Sequence, residues 1–69
     1  MQTARIYRVY RLDGRGKLRS GEWVEATDDV DACRRALDHC DEGTPAVEIW
    51  ERARLVGRLD CRHPHAPRA

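Results

Sequence analysis

The chain has 69 residues, 41% of them hydrophobic and 36% charged, with a formal net charge of +1. That length fits a single domain with a thin margin of stability, because so short a chain buries only about 60% of the surface its unfolded form exposes. The mixed composition excludes a disordered tail, and no stretch approaches the roughly 18 apolar residues of a transmembrane helix.

The near-neutral total hides a segregation. Residues 1–19 carry six basic side chains against Asp13, residues 20–51 carry ten acids against Arg34 and Arg35, and residues 52–69 carry five arginines against Asp60. Opposite charges pairing across a folded surface account for this pattern most simply. Met1 to Arg5 leads into strand-like sequence with no apolar signal core, so a cytoplasmic location is expected. Three cysteines are an odd number, and Cys33 and Cys40 fall on one helical segment. Reduced thiols are therefore expected, without a disulfide framework.

Arg5 to Leu12 (RIYRVYRL) alternates apolar and basic residues, the period-2 pattern of a half-buried strand. Asp13-Gly14-Arg15-Gly16 supplies turn residues, and Lys17 to Ala26 returns as a second strand, with Gly21 suggesting a bulge. Thr27-Asp28-Asp29 provides an N-cap and carboxylates for a helix over roughly residues 28–42. Val30, Cys33, Leu37 and Cys40 form its expected inward stripe, with Ala32 and Ala36 beside them. Gly43 and Pro45 end that helix. Ala46 to Glu51 and Ala53 to Leu59 resume the strand pattern as a second hairpin.

The expected fold is therefore α+β, in the order ββαββ, with one helix on a four-stranded antiparallel or mixed sheet. Residues 1–59 form the domain and 60–69 a flexible tail with two prolines. Two strand orders fit: second, first, third, fourth, or second, first, fourth, third.

Several segments together carry a resemblance. They are Tyr7-Arg8-Val9-Tyr10-Arg11-Leu12-Asp13, Glu22-Trp23-Val24-Glu25-Ala26, Asp28-Asp29, and Val47-Glu48-Ile49-Trp50 followed by Arg54-Leu55-Val56. This pattern, spanning residues 5–59, resembles a group of short alphaproteobacterial hypothetical proteins. The resemblance implies a bacterial cytosolic domain and brings no activity, ligand or catalytic residue with it.

One helix covers one face of a four-stranded sheet, so the other face must meet water or a partner. Tyr7, Val9, Val24, Val47, Ile49 and Leu55 are expected inward, because the alternative would bury Arg8. The outer face then presents Arg8, Tyr10, Glu48, Trp50, Arg54 and Arg58, with Trp23 joining them through the bulge expected at Gly21. Tryptophan, tyrosine and arginine are enriched at the energetic centres of interfaces. The expected role is a non-enzymatic protein-interaction module that forms a homodimer through this face. The alternative is single-stranded nucleic-acid binding, with Trp50 or Tyr10 stacking on bases and arginines on phosphates. Against it stand the acids Glu25 and Glu48 and the lack of an RNA-binding signature.

No catalytic residue and no cofactor are expected, since the sequence holds no C-x-x-C pair, phosphate loop, nucleophile elbow or metalloprotease motif. Cys61, His63 and His65 are metal-competent residue types, and His39 or Cys40 would complete a set of four. Their spacing departs from the paired ligands of structural zinc sites, so no metal is expected.

Overall fold

The structure is a computed structural model and describes residues 4–62. Its elements are β1 (Arg5–Leu12), β2 (Leu18–Ala26), α1 (Asp29–Ala36), a 3-10 turn (Leu37–His39), β3 (Ala46–Glu51) and β4 (Arg54–Asp60). This is the expected ββαββ arrangement. The sheet is antiparallel throughout with order β2-β1-β3-β4, which leaves β2 and β4 as its edges.

Each local element has a visible cause. In the first turn Asp13 accepts backbone N–H bonds from Arg15 and Lys17, and Gly16 takes φ 81, a value glycine adopts at no steric cost. Asp28 caps α1 by accepting the Asp31 N–H at 2.8 Å, while Asp31 accepts the Thr27 N–H at 3.0 Å. The two acids thus satisfy helix-terminal donors at the positive end of the helix dipole.

The core is one-sided. Tyr7, Val9, Ala26, Val47 and Ile49 from the sheet meet Ala32 and Ala36 of α1, and all seven are buried. The inward stripe is therefore set by small alanines, which let the helix approach the sheet closely. Val30 was expected in that stripe, but it is 70% exposed, because a stripe through Asp29, Ala32, Cys33 and Ala36 leaves it on the solvent side. The helix also ends earlier than residue 42. Cys40 leaves the helical region (φ −83, ψ 94) to form a disulfide with Cys61, and the preceding turn tightens to 3-10 geometry.

That disulfide corrects the expectation of reduced thiols, which held only while Cys40 was read as a helical core residue. It ties the end of the helical segment to the end of β4, and the Cys61 N–H donates to Pro45 O at 2.9 Å. Cys33 is the free cysteine; it is half-buried, and burial pushes its thiol pKa up. The fold runs past the expected boundary at residue 59, since Asp60 closes β4 and Cys61 is bridged. The rest of the expected tail, from His63 onward, lies outside the described residues. No helix among the described residues is long and apolar enough to cross a membrane.

Where the sheet leaves the helix N-terminus, a polar network closes the core. The buried Tyr7 hydroxyl donates to Asp29 Oδ1 at 2.8 Å, and Arg54 donates two bonds to the same carboxylate at 2.9 and 3.0 Å. Arg5 makes a bidentate pair with Glu51 at 2.6 and 2.8 Å, and Glu51 also accepts from Arg54. These guanidiniums hold the Asp29 and Glu51 carboxyls at about 2, below ordinary values near 4. A carboxyl depressed in the folded state stabilises it above the unfolded pKa, and the contribution disappears as pH falls through the folded value. Wild-type stability should therefore decline between about pH 4 and pH 2. The decline should be shallower in Arg54→Gln and weaker at high salt, since the pairs are partly solvent-exposed. Urea midpoints measured across that range check this.

Candidate functional site

Strand alternation gives the face away from α1 a regular grid. In register across the sheet, Trp23, Arg8, Trp50 and Leu55 form one row; Gly21, Tyr10, Glu48 and Arg58 form the next. Leu18, Leu12, Ala46 and Asp60 form a third, and Ile6 stands opposite Glu25. Leu12 is buried at the far end of this face, outside the helix-side cluster.

The centre of the grid is a stacked assembly. The Arg8 guanidinium lies 4.3 Å from the Trp23 ring centroid and 5.4 Å from that of Tyr10, both cation–π distances. Gly21 makes room for it: a Cβ there would sit 2.8 Å from the Tyr10 ring and 3.0 Å from Arg8 Nε. The expected bulge at Gly21 is thus absent. It occurs instead at Arg19, where Arg11 pairs with Ser20 and Leu12 with Leu18. Gly21 pairs regularly and is required for side-chain space. Arg8 Nε is buried with no hydrogen-bond partner, and no carboxylate pairs with Arg8 among the described residues.

Beside the stack runs a shallow groove of about 300 Å³ lined by Tyr10, Gly16, Leu18, Glu48, Trp50 and Arg52. The Trp50 indole N–H donates to Glu48 Oε1 at 3.1 Å, which fixes the ring along the groove. Trp23 is 68% exposed, and Ile6, Leu18 and Leu55 are each about half exposed. The face is therefore apolar over much of its area. Its charges nearly cancel: Arg8 and Arg58 stand against Glu25 and Glu48, with Arg52 and Asp60 at the edges.

Of the residues expected on this face, Arg8, Tyr10, Trp23, Glu48, Trp50 and Arg58 are found there. Arg54 is not; it points to the helix side, bound to Asp29 and Glu51. The cause is a second bulge. Ile49 pairs with Gly57 and Trp50 with Leu55, so Val56 is an extra residue and every position before it on β4 changes face. The same slip turns Leu55 outward, against its expected inward place, and leaves it 50% exposed. Ile6, Leu18 and Leu55 were not anticipated on this surface. Ile6 shares the strand parity of Arg8 and Tyr10, so that signal was present.

The described members of the metal-competent group have other partners. Cys40 and Cys61 are bonded to each other, His39 Nδ1 lies 2.9 Å from Glu22 Oε1, and His63 and His65 lie outside the described residues. Among the described residues, no cluster of three or more histidine, cysteine or acidic side chains is arranged to hold a cation. Comparison of the chain with protein-family models, with curated proteins and with solved structures finds no match.

Proposed function

We propose that this chain is a protein-interaction module whose partner-binding surface is the sheet face opposite the helix, and that it works as a homodimer. The observation that carries the reading is the row Trp23, Arg8, Trp50 and Leu55, flanked by Ile6 and Leu18. Large apolar side chains are concentrated on one face, while the helix side is closed by ion pairs. Exposed apolar patches on small domains mark interaction sites, and a one-sided core gains most from covering its bare side. The balance of acids and arginines favours a protein partner over nucleic acid, whose phosphates select a basic surface.

Sedimentation at several concentrations tests this in wild type and Trp23→Ala, chosen because Trp23 is outside the core and its loss leaves the fold intact. The wild-type mass rises toward twice the protomer mass with concentration, while Trp23→Ala stays monomeric, keeps the wild-type far-ultraviolet circular dichroism and loses the concentration dependence of melting that dimerisation gives the wild type. A wild type that remains monomeric to high micromolar concentration defeats the homodimer. Salt-sensitive binding of single-stranded RNA transfers the face to the nucleic-acid reading.

The cytoplasmic location carries a condition set by the cysteines. A cytosol keeps thiols reduced, whereas an oxidising compartment preserves a bridge. Alkylation of thiols in intact cells decides between them: modification of Cys33, Cys40 and Cys61 together fits the cytoplasm, and modification of Cys33 alone fits an oxidising compartment.

A further inference from the structure

Arg8, Tyr10, Glu48 and Trp50 occupy the corners of a rectangle at the centre of the open face, since Arg8 pairs with Trp50 and Tyr10 with Glu48 across β1 and β3. Strand spacing makes its sides about 5 Å and about 7 Å. The two charged residues lie on one diagonal and the two aromatic residues on the other. A twofold axis lying in the face along the aromatic diagonal therefore nearly exchanges the charged corners, within side-chain reach. It sets Arg8 of each copy over Glu48 of the other, and brings Tyr10 and Trp50 against their own counterparts.

We infer that the partner covering this face is a second copy of the chain, docked about that axis, with reciprocal Arg8–Glu48 ion pairs at its centre. This rests on the homodimer reading and names its geometry. Three observations support it. Arg8 has no carboxylate partner among the described residues and carries a buried, unpaired Nε, so its remaining donors are available to an incoming acceptor. Among the described residues Glu48 makes one side-chain hydrogen bond, through Oε1 to Trp50, leaving Oε2 for a guanidinium. Glu25 and Arg58 stand further from the centre, where solvent still reaches them, while a central charge must find its partner when water is excluded.

The size of the face fits a reversible dimer. Four strands about 4.8 Å apart give a surface roughly 20 Å on a side. Two such faces bury on the order of 1,000 Å², at the lower end for specific interfaces. Under this axis the strands of the two copies cross steeply, close to the orthogonal class of sheet packing.

A charge swap in trans tests the pairing. Arg8→Glu places two carboxylates against each other at both central pairs, and Glu48→Arg places two guanidiniums together there, so each variant alone should lose at least about tenfold in self-association. Mixing the two variants makes one of the two central pairs a reversed but complementary ion pair of carboxylate and guanidinium and leaves the other as the native Arg8–Glu48 pair. The mixture should therefore sediment at twice the protomer mass. If wild type dimerises but the mixture shows no rescue, or each variant alone still dimerises, this pairing is overturned while the homodimer reading stands. If wild type itself is monomeric at every concentration, both fail. Should a charge-reversed variant fail to fold by circular dichroism, Arg8→Gln and Glu48→Gln pose the same question. Each weakens dimerisation, and the double variant loses no more than the worse single one; additive losses overturn the pairing.

Discussion

Reduction of the Cys40–Cys61 bridge, or its removal by Cys40→Ser, should lower the unfolding free energy by about 3 kcal/mol, the chain-entropy value for a closed loop of roughly twenty residues. For a domain with so small a core, that is a large part of a total of roughly 3–5 kcal/mol. The expected fall in melting temperature exceeds about 15 °C, given an unfolding entropy near 2 cal/mol/K per residue. The effect is local in origin: with sequence separation 21, the bridge pins the end of β4 to the segment leaving the 3-10 turn. Edge strand β4 then keeps its register with β3 through Cys61 as well as through its own ladder. Thermal unfolding with and without reductant, repeated on Cys33→Ser as a control, measures it. Equal melting temperatures would show that the bridge contributes nothing.

Tyr7→Ala should cost about 4 kcal/mol and leave the protein largely unfolded, by the usual penalty for truncating a buried aromatic residue. Tyr7 has 0% exposure, packs in the cluster with Val9 and Ile49, and ends in a hydroxyl bonded to Asp29 at the start of α1. It therefore joins sheet and helix through both packing and a charge-assisted hydrogen bond. Tyr7→Phe separates the two: it keeps the ring and should cost about 1–3 kcal/mol, the range for a hydrogen bond to a charged group. Burial and the Asp29 hydrogen bond push the phenol pKa up to about 12. A raised tyrosine pKa means the neutral form is favoured in the fold, so this contribution holds below about pH 10 and is lost as pH rises toward 12. Urea denaturation of both variants near neutrality, with an alkaline titration of the wild type followed at the phenolate band, checks each part.

Much of this arrangement was legible in the residues. Arg5 to Leu12 alternates so regularly that its facing could be read directly, and Thr27-Asp28-Asp29 marked the helix start to within a residue. What escaped was set by single-residue events. Val56 is one extra residue on β4, and nothing in Ala53 to Leu59 distinguishes a bulged strand from a regular one except Gly57. That single slip moved Arg54 into the ion network and Leu55 onto the open face. The disulfide escaped for a different reason: it depends on Cys40 leaving the helix and on β4 running to Asp60 so that Cys61 follows it directly, two facts that sequence spacing does not encode. The candidate surface survived both errors because Arg8, Tyr10, Trp23 and Trp50 lie on strands whose parity those events leave unchanged.

The claim that the open sheet face is an interface is tested most directly by the two indole N–H resonances and the backbone amides across a dilution series. The range should run from about 1 mM to about 10 μM, where an interface of this small area associates reversibly. The expected result is that the signals of Trp23, Trp50, Arg8, Tyr10 and Leu55 shift together with concentration, while those of Val30 and Arg34 on the exposed side of α1 stay fixed. A spectrum that does not change with concentration, or shifts confined to the helix side, would contradict the assignment of this face.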